Sequence, residues 1–123
     1  MTQSRIDIFA QMAREQPDDA MISYGLASEY VKDERWNEAA EALRNVLRVN
    51  KDYTAAYQML GTSLLNLGAR EEAERMWTEG VRVAERTGAW KAKQHMEGLL
   101  VDLNRDQQTA NKDEDNASEF CAG

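Results

Sequence analysis

One histidine, His95, and one cysteine, Cys121, are all the chain offers in the two side chains most used as nucleophile, general base or soft metal ligand. Neither sits beside a serine, histidine or cysteine arrangement that reads as a catalytic motif. His95 is expected at the surface or edge of a helix. Histidine and cysteine pairs at metal-ligand spacing are missing, so no metal site is expected. The carboxylates are more numerous: Glu71, Glu72 and Glu74 form one cluster, and Asp113, Glu114 and Asp115 another. Paired carboxylates can exchange protons with a substrate. The first cluster, however, falls in the opening turn of a helix, where negative charge complements the helix dipole, and the second falls in a polar tail. The glycines occur singly rather than in a phosphate-cradling run. No catalytic, cofactor-binding or metal-binding residue is therefore assigned.

Three tryptophans, Trp36, Trp77 and Trp90, could anchor a partner. Trp77 is read as core, and Trp36 as packing between neighbouring units. Trp90 stays open between an exposed and a buried role.

These residues must be carried by helices. Alanine, leucine, glutamate and arginine dominate, and Pro17 is the one proline of 123 residues. The net charge of −7 disfavours binding to nucleic acid or to an anionic membrane surface. Neither a signal-peptide core nor an 18-residue apolar run is visible, so a cytoplasmic setting is expected. A single cysteine forms no disulfide within one chain.

Residues 34 positions apart match in type. Leu26 pairs with Leu60, Ala27 with Gly61, Tyr30 with Leu64, Glu38 with Glu72, Ala39 with Ala73, Leu43 with Trp77, Arg48 with Arg82 and Val49 with Val83. A fixed period of this length marks stacked supersecondary units. Each unit carries two apolar stripes at intervals of 3 and 4. They are Ile22, Leu26 and Tyr30, then Trp36, Ala39, Ala40, Leu43, Val46 and Leu47, in the first unit. In the second they are Tyr57, Leu60, Gly61, Leu64 and Leu65, then Ala73, Met76, Trp77, Gly80 and Val83.

Two helices flank these units. One is predicted over 4–16, with Ser4 as its cap, a stripe of Ile8, Phe9 and Met12, and Pro17 as its stop. The other is predicted over 88–103, after Gly88 has ended the preceding helix. Its apolar residues are Trp90, Met96, Leu99, Leu100 and Leu103. Residues 104–123 are polar and acidic, and are expected to form a disordered tail.

The residues resemble the tetratricopeptide repeat family. Tyr57, Leu60-Gly61, Leu64, Ala73, Trp77 and Gly80 carry the resemblance in the second unit, and Leu26-Ala27, Tyr30, Ala39 and Leu43 in the first. Ser23 departs from the pattern, which has a bulky residue there. Lys51 and Glu85 replace the closing proline of the two units, whereas Pro17 and Phe9 fall in register for the second half of a truncated preceding unit.

The resemblance implies an all-α, right-handed solenoid of about six helices. Its parts would be a half-repeat helix over 4–16, repeats over 20–53 and 54–87, and a capping helix over 88–103. It also implies a concave groove lined by the first helix of each unit, with Met21, Tyr24, Ser28 and Val31 from the first and Gln58, Thr62, Leu65 and Asn66 from the second. Those positions are either an ordinary mixed surface or a site for a peptide or helix of a protein partner. Repeats that grip the acidic tails of heat-shock chaperones use lysine and asparagine in the groove. Tyr24, Ser28 and Met59 stand in those places here, so that ligand is not expected. The expected function is a non-enzymatic interaction module, an adaptor or accessory chaperone. The alternative is self-association through the terminal helices, as in a homodimer.

Overall fold

The computed structural model describes residues 4–122, with side chains for residues 4–108. It consists of six helices: α1 (Arg5–Glu15), α2 (Ala20–Lys32), α3 (Trp36–Val49), α4 (Thr54–Asn66), α5 (Arg70–Thr87) and α6 (Trp90–Ala122). No strand occurs among the described residues. The most extensive pairings are α2 with α3 and α4 with α5, and α3 then packs on α4 and α5 on α6. The result is an α-solenoid of stacked helical hairpins.

Short side-chain caps start the first two helices. Ser4 accepts from the backbone of Asp7, and Asp19 accepts from that of Ile22 at 3.1 Å. The helix ends share one device. Glu34, Gly68 and Gly88 have φ of 57°, 82° and 77°. In each case the next residue's N–H reaches back to a carbonyl five positions earlier: Arg35 to Tyr30, Ala69 to Leu64, and Ala89 to Ala84, all at 2.9 Å. A left-handed residue followed by this bond satisfies carbonyls that the ending helix leaves without donors. The expected role of Gly88 is thus met. Glu34 does the same work without glycine's freedom.

The core has two parts. Ala27, Ala40, Leu43, Val46, Ala56, Leu60, Leu64 and Ala73 fill the space between α2, α3, α4 and the start of α5. Tyr57, Trp77, Val83, Ala84, Met96 and Leu103 fill the space between α4, α5 and α6. Small residues let the helices approach. At Gly61 an added Cβ would lie 2.1 Å from the Trp77 ring nitrogen, and at Gly80 2.5 Å from the Met96 sulfur.

Two features differ from expectation. The stripe of α1 is split: Phe9 lies on Gly25 of α2, while Ile8 and Met12 are exposed, and α1 buries no residue fully. The reason is that α2 is the one helix that packs extensively on α1 among the described residues. The last helix also does not stop at Leu103, where the tail was expected to begin. Residues 104–108 continue α6 as exposed helix. Neither proline nor glycine follows Gly98 before Gly123, and Arg105, Gln107 and Gln108 are good helix formers. For the rest of the segment expected to be disordered, the side chains lie outside the described residues.

Candidate functional site

α2 and α4 carry the eight residues expected to line the groove, and none of the eight is buried. Met21, Tyr24, Ser28 and Val31 recur at intervals of 3 and 4 along α2, on the side away from the buried Leu26. Met21 is 74% exposed. Tyr24 packs its ring against Tyr53, with centroids 5.1 Å apart and planes tilted by 34°. Burial pushes the Tyr24 phenol above its ordinary value. The neighbouring Tyr53 adds to the shift, and a hydrogen bond with Ser28 opposes it. The neutral, hydrogen-bonding form of the phenol is therefore the one presented on this face.

On α4, Gln58, Thr62 and Asn66 stand four residues apart. The Thr62 hydroxyl donates to the Gln58 carbonyl at 3.1 Å, and the Asn66 amide donates to the Thr62 carbonyl at 2.9 Å. The Gln58 carbonyl also accepts the Trp77 indole N–H at 3.1 Å, which ties the lining helix to the core of its own unit. Between the two lining helices, the Ser28 hydroxyl approaches the Met59 sulfur at 4.0 Å. Met59 is thus a joint between the units as well as a groove neighbour. Sequence reasoning did not extend the lining to α6, yet α6 packs on α4 as well as α5 and takes the place of a third first helix.

The other candidates separate clearly. Trp77 is 1% exposed, as a core residue should be, and Trp36 is half-buried at the start of α3. Trp90 is exposed, with the Lys93 ammonium 5.2 Å from its ring centre. His95 is exposed on α6. No group of three histidine, cysteine or carboxylate side chains able to hold a metal exists among the described residues. Glu71, Glu72 and Glu74 open α5 on its solvent side, with Glu72 paired to Arg44 at 3.5 Å. Cys121, Asp113, Glu114 and Asp115 lie outside the described side chains.

A cleft of about 700 Å³ that the sequence did not point to lies on the opposite side, between α1 and α3. Ser23, Leu26 and Tyr30 of α2 floor it, and Arg14 and Arg48 stand among its walls. The buried Ser23 hydroxyl accepts from the Asn45 amide at 2.9 Å, and the same amide donates to the Pro17 carbonyl at 3.0 Å. A polar clip between three segments thus replaces the bulky side chain expected at this position.

Helical hairpins stacked with a 34-residue period, small residues under large ones and lining first helices together define an α-solenoid of the tetratricopeptide kind. The comparisons agree. Over 88 residues the chain is 27% identical to a TPR repeat-containing protein of Pseudomonas aeruginosa, an alignment covering 72% of this chain and 84% of that one. It superposes on the solution structure of a Bordetella parapertussis protein with a TM-score of 0.79, at 22% identity, over 90% of this chain and 96% of the other. A tetratricopeptide repeat domain from Aspergillus fumigatus gives 0.72 at 21% identity, over 87% of this chain and 68% of that one. A tetratricopeptide repeat domain protein from Salinibacter ruber gives 0.66 at 23% identity, over 72% and 89%. No family model matches the chain. The chain has the tetratricopeptide repeat fold.

Proposed function

We propose that this protein is a non-enzymatic interaction module, an adaptor or accessory chaperone, that holds a peptide or helical segment of a partner protein against α2 and α4. The carrying observation is the exposure of Met21 beside the stacked Tyr24–Tyr53 pair. A flexible thioether next to a rigid aromatic surface suits an apolar side chain of a ligand. The Thr62 hydroxyl and the Asn66 amide, each donating one hydrogen bond to the backbone of α4, keep acceptor capacity for a ligand's backbone. Proteins of this fold generally bind protein partners, which supports the reading. No described helix is long and apolar enough to cross a membrane, and a cytoplasmic setting is part of the proposal.

The test is photo-crosslinking from a benzoylphenylalanine placed at Met21, followed by competition with the captured segment as a synthetic peptide. Tyr24→Ala and Asn66→Ala should each weaken binding of that peptide, while Glu41→Lys in the opposite cleft should leave it unchanged. Binding that survives both groove substitutions at full strength would sink the groove reading.

A further inference from the structure

Charge is unevenly placed along this chain. No charged residue occurs from Tyr53 to Ala69, a stretch that includes the whole of α4, nor from Ala20 to Ser28 on α2. Half of the 18 residues of α5, by contrast, carry a charge. A helix ordinarily places its charges on the face open to solvent. α2 and α4 place Met21, Tyr24, Ser28, Gln58, Thr62, Leu65 and Asn66 there instead.

The charges that flank this strip bound it. On α2, Glu29 is 9% exposed and pairs with Arg5 of α1 at 3.2 Å and with Lys32 at 3.3 Å. Before α2, Asp18 pairs with Arg48 and Asp19 caps the helix. Before α4 stand Lys51 and Asp52, and Asp52 pairs with Arg86. α6, packed beside α4, carries both signs in Lys91, Glu97 and Asp102. The uncharged strip is therefore two helices wide.

The strip is apolar at its ends and polar between them. Met21 and the Tyr24–Tyr53 pair mark one end, and Val31 and Leu65 the other. The Tyr24–Tyr53 and Ser28–Met59 contacts follow the same order along both helices, so α2 and α4 run parallel and their ends correspond. Ser28, Gln58 and Thr62 come between. The backbone carbonyl of Gln58 is used, but its side-chain amide makes no hydrogen bond among the described residues. That amide offers both a donor and an acceptor. Met21 and Val31, ten residues apart on one helix, are separated by about 15 Å.

We propose, building on the groove reading above, that the occupant is an uncharged, extended segment of a partner protein. One apolar side chain sits over Met21 and Tyr24, a second over Val31 and Leu65, and the backbone between them bonds to Gln58. A charged ligand residue would shed water on this strip without meeting an opposite charge. The net charge of −7 also repels an acidic segment. A basic segment finds its carboxylates on α3 and α5, away from the strip. A helical ligand satisfies its own backbone groups, whereas an extended one brings free N–H and C=O groups to Gln58. At roughly 3.3 Å per residue, four or five extended residues cover the distance.

The test pans a random linear dodecapeptide library, displayed on phage, against the full chain and against Tyr24→Ala and Asn66→Ala. Circular dichroism confirms that both variants fold. The wild type should enrich sequences with two apolar positions four or five residues apart and uncharged residues between them, and both variants should lose that enrichment. The most enriched peptide, synthesised, should change in affinity by less than about twofold between roughly 0.05 and 1 M sodium chloride. Gln58→Ala should weaken it about three- to tenfold. Charged residues enriched between the apolar positions, apolar positions about ten residues apart as on a helix, a loss of about tenfold or more in salt, or indifference to Gln58→Ala would each overturn the inference. The groove reading survives those results as long as Tyr24→Ala and Asn66→Ala abolish the enrichment. Enrichment that persists in both variants, or no enrichment at all, overturns the groove reading and this inference together.

Discussion

The indole of Trp77 lies across Gly61, close enough that a Cβ there would sit 2.1 Å from its ring nitrogen, and donates its N–H to the Gln58 carbonyl at 3.1 Å. One side chain thereby sets the spacing between α4 and α5 and ties the two helices of the unit together. Trp77 is 1% exposed, so the ring has nowhere to retreat. Gly61→Ala should destabilise the chain by about 1–3 kcal/mol, the usual cost of overpacking. It should lower the urea midpoint with little change in slope.

Gly98→Ala should act in the opposite direction. With open space around its Cβ position, alanine gains helix propensity without a clash, and stability should rise by about 0.5–1 kcal/mol in thermal or urea unfolding. The contrast between two helical glycines separates propensity from packing. A loss of stability in dilute, monomeric protein would mean that this face is covered.

Glu34 holds a left-handed conformation, φ 57°, at the end of α2, where Gly68 and Gly88 serve the ends of α4 and α5. A side chain in that region costs roughly 1–2 kcal/mol, partly offset by the greater unfolded-state freedom of glycine. Glu34→Gly should therefore stabilise by about 0.5–1 kcal/mol, visible as a higher melting temperature.

Asn45 clips Ser23 and Pro17 together. Asn45→Ala leaves the buried Ser23 hydroxyl without that donor, at a cost of about 1–3 kcal/mol. It should also speed hydrogen exchange at the α1–α2 junction before it affects α5, because the clip spans α3 and the loop after α1.

The Tyr24 phenol is raised above its ordinary value by burial and by Tyr53. A raised value means that the folded chain holds this proton more tightly than the unfolded chain. The contribution is fully present below about pH 10, the ordinary tyrosine value, and is lost as pH rises through the folded value. Tyr24→Phe should lose less stability than the wild type on the alkaline side and should remove the corresponding late phenolate step from an ultraviolet titration.

The helices, their order and the core aromatic at Trp77 were legible from the 34-residue match and from intervals of 3 and 4. The eight positions expected to line a groove fall on α2 and α4 and none is buried, since a helical face follows from spacing alone. The cleft between α1 and α3 was not legible. Ser23 announced a missing bulk, but the Asn45 amide that fills its polar need comes from 22 residues away. The continuation of α6 past Leu103 does not follow from polarity, which signals exposure, but from helix-forming side chains such as Arg105, Gln107 and Gln108.

What the sequence determined by itself is periodic and local: which residues form helices, where Pro17 and Gly88 stop them, and which small residues face large ones one unit away. What tertiary structure decided is coverage. Phe9, Ile8 and Met12 belong to one stripe, yet Phe9 alone finds a neighbour, in Gly25, and Gly98 has none where Gly61 has Trp77. Burial depends on which helix lies alongside. Spacing along one helix cannot reveal which of its sides will meet another helix.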